Sequence, residues 1–260
     1  MLRFTANLSL LFTEYPLLER LQHAKAHGFE AVEIQFPYSI PAATLKAELQ
    51  AQQLQLVLFN VNADTLLQGG EGLAAVPEQQ AQFKAAVAQT LAYARILQPR
   101  CINVLPGRCF DEQRLPDYQQ TLLQNLRYAA DAFAELGITT VFEAVNSHDM
   151  PGFIIDSSAK MLAVLAQLNH PNLRLQYDIY HMSRMGEDCQ AFLNQHHAKI
   201  GHIQFADCPG RGQPGTGNVD FVGLFKQLAA LDYQGWVGAE YKPQGGSEQS
   251  LGWLNSVRLT

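Results

Sequence analysis

Four residues carry the chemistry this sequence can do: Glu143 in TTVFEAV, Asp178 in LRLQYD, Gln204 in GHIQFAD and Glu240 in GWVGAEY. Each sits near the C-terminal end of a short apolar run, where burial of a charged or amide group is costly unless it has a task. Their separations are 35, 26 and 36 residues. Any one of them alone is more often a solvated loop residue or an ion-pair partner, but four at one recurring position form a set. Three carboxylates brought close together repel and raise one another's pKa unless a cation compensates. Glu143, Asp178, Gln204 and Glu240 offer only oxygen, which suits a hard divalent ion, Mg²⁺ or Mn²⁺, better than zinc, whose sites usually include thiolate or imidazole. Two glutamates, Glu143 and Glu240, facing each other across such an ion suggest proton transfer, one removing a proton from carbon and the other returning one to the neighbouring carbon. An ion that polarises a carbonyl and a hydroxyl makes that carbon acid accessible, which fits an α-hydroxycarbonyl substrate passing through an enediolate.

Three further residues lie close by in sequence. His181 follows Asp178 in DIYHM and is either an imidazole touching substrate beside the ion or a surface-loop histidine. Arg211 comes seven residues after Gln204, and Lys242 two after Glu240. On a strand Lys242 shares the face of Glu240, so it can point to the same pocket. A substrate carboxylate needs such a cation; the competing reading of each is an ordinary exposed charge.

The elements that must position these residues alternate eight times. Short β-like runs are expected at 3–9, 31–36, 54–60, 101–105, 139–145, 173–178, 200–206 and 236–241, and helices near 16–27, 41–52, 77–97, 116–136, 157–169, 187–197, 219–231 and 247–257. The helices rest on spacing: Leu122, Leu126, Ala129, Ala130 and Phe133 recur at three and four residues on one helical face. Prolines 16, 41, 77 and 116 stand near first turns, and Gly28 and Gly137 mark ends. The β-runs are apolar on both faces, as strands covered by helices are. Eight strand–helix units without a linker predict an α/β fold, a single (β/α)₈ TIM barrel domain over 1–260, with a doubly wound open sheet as the weaker alternative. In a barrel, the long connections 61–76 and 207–218 both lie on the catalytic face; the first reads as a candidate lid, the second as a turn or an anion cradle.

Composition narrows the class. The 260 residues are 47% hydrophobic and 16% charged, which excludes a disordered chain. With 18 basic against 24 acidic residues, no global attraction to nucleic acid is expected. Cys101, Cys109, Cys189 and Cys208 form no CxxC pair, which suits a reducing compartment. No apolar run reaches the length of a membrane span, and the N-terminus lacks a signal-peptide pattern, so a cytoplasmic location is expected. Oligomeric state stays open, a homo-oligomer included, since Phe12 and Trp253 serve equally well in an interface or packed within one chain.

The segments NLSLLFTEYP, AVNSHDMPGF, LQYDIYHMSRM, KIGHIQFADCPGRGQPGTG and GWVGAEYKPQG together resemble the hydroxypyruvate isomerase family, within the xylose isomerase-like sugar isomerases and epimerases. The likeness runs over essentially the whole chain. It implies a (β/α)₈ barrel that interconverts hydroxypyruvate and tartronate semialdehyde. It implies Glu143 and Glu240 as acid/base pair and ion ligands, Asp178 and Gln204 completing the ion's shell, and His181 and Arg211 lining the substrate. The wider superfamily usually has histidine where this chain has Gln204. A related branch acts on 2-oxo-tetronates, and C3-type ketose epimerases share the paired glutamates. A zinc-dependent phosphodiester-cleaving barrel is disfavoured by the acidic balance and the histidine-poor strand ends. A barrel that only binds a small acid is disfavoured by the intact carboxylate set.

Overall fold

The computed structural model describes residues 2–254. Among them, eight parallel strands close into a barrel in chain order: β1 Arg3–Asn7, β2 Ala31–Glu33, β3 Gln55–Asn60, β4 Cys101–Asn103, β5 Thr139–Glu143, β6 Leu173–Asp178, β7 Ile200–Phe205 and β8 Trp236–Ala239. The last strand pairs with the first, with Thr5 opposite Gly238, so no edge is left. Outside lie α1 Leu17–Ala26, α2 Ala42–Ala51, α3 Gln80–Leu97, α4 Leu115–Ala134, α5 Ser158–Leu168, α6 Ile179–Arg184, α7 Cys189–His196 and α8 Phe221–Ala230. The expected (β/α)₈ TIM barrel is therefore the fold, and the open sheet is excluded by the β1–β8 pairing.

Helical periodicity translates into packing. α4 buries Leu122, Leu126, Ala129, Ala130 and Phe133 on one face, the set its spacing marked. Gly28 and Gly137 end α1 and α4 at positive φ, where glycine carries no Cβ penalty. Six-residue α6 is an addition to the expected pattern: Asp178 caps it, accepting the N–H groups of Tyr180 and His181 at 2.7 and 3.3 Å. The helix expected at 247–257 begins as a 3₁₀ turn at Glu248–Leu251, and its residues 255–257 lie outside those described. Phe12 and Trp253 are both buried within the chain, Trp253 edge-on to Phe4 and Phe205, so neither is an interface aromatic. All four cysteines are free. No helix among the described residues is long and apolar enough to cross a membrane.

The barrel interior is graded. At its N-terminal end, Ala31, Leu58, Cys101, Val141 and Trp236 form an apolar plug. Two residues further along β2, β3, β4 and β5, on the same faces, stand polar groups: Glu33, Asn60, Asn103 and Glu143, all buried. On these four strands the period of two thus carries the chain from plug to site.

Candidate active site

Glu143 and Asp178 end β5 and β6, Gln204 stands one residue before the end of β7, and Glu240 directly follows β8. All four are buried, as is His181 in α6. Glu143, His181, Arg211, Glu240 and Lys242 line one cavity of about 330 Å³, walled on its apolar side by Phe36, Leu67, Leu105, Val145 and Met150. Barrel closure therefore brings together residues 97 positions apart in sequence.

The carboxylates are held very differently. Glu240 accepts from Asn7 and Gln35 at 2.9 Å each, from Arg211 at 2.8 Å and from Gln204 at 3.4 Å. Burial raises its carboxyl above the ordinary glutamate value, and the Arg211 charge works against that rise. Glu143 accepts from Asn103 at 2.7 Å. Burial first, and then the charges of Glu240 and Asp178, push it up to about 8. Asp178 spends one oxygen on the α6 cap, and its Oδ2 is buried without a hydrogen-bond partner. Burial raises this carboxyl as well.

His181 completes the group: ligand atoms of Glu143, Asp178 and His181 all lie within 4.8 Å of one another. Its tautomer follows from Asn146. The Asn146 side-chain oxygen accepts from the Asp149 N–H at 2.8 Å and its amide nitrogen donates to Asp149 at 3.0 Å, which fixes the amide. That nitrogen then donates to His181 Nδ1 at 2.7 Å, leaving the ring proton on Nε2, 3.6 Å from Asp178 Oδ2. Burial and the Arg211 charge press the ring down to about 3, so the imidazole is neutral. A neutral ring with its N–H toward the cavity is a hydrogen-bond donor to an oxygen, placed beside the carboxylates.

Gln204 is placed deeper than its neighbours in sequence suggested. Its oxygen accepts from Gln176 at 2.7 Å, and its nitrogen donates to Glu33 at 2.7 Å. Arg211 pairs with Glu240 and lies 5.1 Å over the Tyr180 ring, while the Lys242 side chain is exposed at the cavity mouth.

Sequence reasoning missed a second polar centre. Glu33 and His202 are fully buried and meet at 2.7 Å. Glu33 also accepts from Thr5, from Asn7 at 3.3 Å and from Gln204. Burial alone would raise its carboxyl, but the charge and hydrogen bond of His202, with Thr5 and Gln204, hold it below the usual range. Gly238 makes the room: a Cβ there would lie 2.1 Å from Glu33 Oε1. The sequence does carry a signal for it, since Glu33 is a carboxylate inside an apolar β-run just as Glu143 is.

Two loops frame the mouth. The expected lid, 61–76, is docked on the β4–α4 loop and on α4: Glu71 accepts the Arg108 N–H of the loop on its carbonyl at 2.9 Å and the Tyr118 hydroxyl of α4 on its carboxylate at 2.9 Å. The segment 207–218 is a turn wound around the buried Asp207 carboxylate, not an open anion cradle.

This fold and strand-end site define an enzyme class. The sequence matches the Xylose isomerase-like TIM barrel family over residues 21–257, and the chain belongs to that family. The two curated relatives that follow are named isomerases, and this protein is an isomerase. It is 40% identical to hydroxypyruvate isomerase of Escherichia coli (strain K12), covering 99% of this chain and all of that one. It is 37% identical to 2-oxo-tetronate isomerase of Cupriavidus necator over 97% of each. A crystal structure titled AP endonuclease, family 2, from Brucella melitensis superposes with a TM-score of 0.94 at 35% identity, covering 98% of this chain and 99% of that one. The resemblance to the hydroxypyruvate isomerase family read from the motifs is thereby borne out.

Proposed function

We propose that this isomerase interconverts hydroxypyruvate and tartronate semialdehyde, with Glu143 and Glu240 as its acid/base pair. The observation that carries the reading is the pairing of two buried glutamates in one cavity with different neighbours. Glu240 is surrounded by donors and Arg211, whereas Glu143 is pushed up to about 8 by burial and two neighbouring carboxylates. Burial raises both carboxyls, which brings each nearer the range in which it can give and take a proton.

A divalent ion, Mg²⁺ or Mn²⁺, fits the residues present: the buried Asp178 Oδ2 has no partner, and the adjoining carboxyls of Glu143 and Asp178 are both raised by burial. Glu143 and Asp178 would hold it, with Glu240 and Gln204 the remaining oxygen donors once the Gln204 amide exchanges its bond to Gln176. When bound, such an ion supplies Lewis acidity that polarises the carbonyl and offsets the charge left when a C–H proton departs.

The chain's own groups then do the following. In the direction from hydroxypyruvate, one glutamate of the pair accepts the proton leaving C3, the C2–C3 bond gains double-bond character, and C2 takes a proton from the other. The hydroxyl proton moves from the C3 oxygen to the C2 oxygen, with the His181 Nε2–H as a donor to substrate oxygen. In reverse, the glutamates exchange roles. Because Arg211 is engaged by Glu240, the Lys242 ammonium is assigned to the substrate carboxylate, with Arg211 beside it.

A 2-oxo-tetronate is the second reading, favoured by the 37% identical relative of that name and by a cavity of about 330 Å³, which admits a four-carbon acid. Turnover of hydroxypyruvate followed by NMR in D₂O, with and without Mg²⁺ or Mn²⁺ after chelation, tests the choice. Tartronate semialdehyde carrying deuterium at C2 supports the proposal. Turnover of 2-oxo-tetronates alone moves the substrate and keeps the site; inactivity on both acids refutes it.

A further inference from the structure

Asp207, two residues past the end of β7, is buried yet lines no part of the cavity. Its carboxylate accepts four backbone N–H groups. Cys208 and Val219 donate to Oδ1 at 2.9 and 3.1 Å, and Gly215 and Gly217 to Oδ2 at 2.8 Å each. Its own N–H donates to the Gly212 carbonyl at 2.8 Å. The Gly/Pro-rich loop is thus wound around an anion that the chain itself supplies. Gly217 fits this winding because a Cβ would lie 2.2 Å from the Cys208 carbonyl oxygen and 2.6 Å from Asp207 Oδ1.

Arg211 sits at the tip of the same loop with φ 54°, a left-handed backbone that non-glycine residues adopt only when their surroundings impose it. Its carbonyl accepts the Lys242 N–H at 2.7 Å, and its guanidinium reaches Glu240 at 2.8 Å. One loop therefore delivers one cation of the site and ties down the backbone of the other.

We infer that Asp207 is a positioning residue for the reaction: its carboxylate folds the 207–218 loop so that the Arg211 guanidinium meets Glu240. The inference rests on the reading of Glu240 and Arg211 as parts of the isomerase site. Asparagine at 207 keeps one acceptor oxygen and turns an NH₂ toward two N–H groups, so half of the bonds become repulsive contacts.

A double-mutant cycle separates positioning from general support. Asp207→Asn is measured in the wild-type and in the Arg211→Gln background, reading kcat/KM on whichever 2-oxo acid the wild type turns over. The expected loss is tenfold or more in the first background and less than threefold in the second. Equal factors in both backgrounds, or a loss under twofold in the first, overturn the inference. If circular dichroism shows that Asp207→Asn does not fold, Gly217→Ala disturbs the same loop from the other side and is held to the same criteria. Amide hydrogen exchange adds a readout independent of turnover: Cys208, Gly215, Gly217 and Val219 should exchange at least tenfold faster in Asp207→Asn, while β7 stays protected. Unchanged protection overturns the inference. A wild-type chain inactive on hydroxypyruvate and 2-oxo-tetronates alike defeats the reading of function, and the exchange result still decides whether Asp207 builds the loop.

Discussion

The two sides of the barrel mouth bury carboxylates in opposite ways. On the side of β8, β1 and β2, every acidic oxygen is met by the protein: Glu240 by Asn7, Gln35, Arg211 and Gln204, and Glu33 by His202, Thr5, Asn7 and Gln204. On the side of β4, β5 and β6, oxygens are left bare. Asp178 Oδ2, Asn103 Oδ1 and Gln176 Oε1 are all buried without a hydrogen-bond partner, and Glu143 stands among them with its carboxyl pushed up to about 8. An unmet buried polar group costs about 1–3 kcal/mol, so a cluster of them is a standing cost to the fold. The lesson is that the β8–β1–β2 side is built to stay as it is, while the β4–β6 side is built to receive something cationic or proton-donating.

The sharpest break in that comparison comes from the two glutamates. Glu143→Gln and Glu240→Gln should each lower turnover about 10³-fold, roughly 4 kcal/mol in the barrier, with the circular dichroism spectrum unchanged. Near-normal turnover in either variant removes that residue from the mechanism. Next comes stability. Glu33→Gln disrupts the buried hydrogen-bond network of His202, Thr5, Asn7 and Gln204 around that carboxylate and should cost about 3 kcal/mol in urea unfolding, whereas Asp178→Asn, which removes charge from the under-met side, should cost far less or stabilise the chain. Equal losses in the two variants would erase the distinction between the sides. The smallest effect is expected at the rim, where Lys242→Ala should raise KM about tenfold with kcat nearly unchanged, worth about 1.4 kcal/mol of binding. A fall in kcat without a change in KM would place Lys242 in the chemical step instead.

How much of this was legible in the sequence depended on whether the signal was local. Strand runs and the face of α4 were readable because burial imposes a period of two or 3.6 on consecutive residues. Glu143, Asp178 and Glu240 were readable because a carboxylate at the end of an apolar run is conspicuous. The meeting of Glu33 with His202, 169 residues apart in the chain, follows only from closure between β2 and β7 across the barrel interior. His202 alone, in GHIQFA, gives no hint of a partner. Short α6 escaped because DIYHMS spans under two turns and carries no repeat; its start is set by the Asp178 cap, which takes up one of that residue's two oxygens. The depth of Gln204 was hidden for a related reason: spacing places its backbone at the rim, but its amide is captured by Gln176 and Glu33 from neighbouring and opposite strands.

The central claim, that the β4–β6 side is left under-met to receive a divalent ion, is tested most directly by calorimetry of Mn²⁺ binding to the chelated wild-type chain in buffers of different ionisation enthalpy. A Glu143 carboxyl near 8 is mostly protonated at pH 7 and must lose its proton to become a ligand. The account predicts one ion per chain with about one proton released at pH 7, a release that falls toward zero by pH 9 and is lost in Glu143→Gln. Binding with no proton release at pH 7, or binding unchanged in both Glu143→Gln and Asp178→Asn, would contradict it.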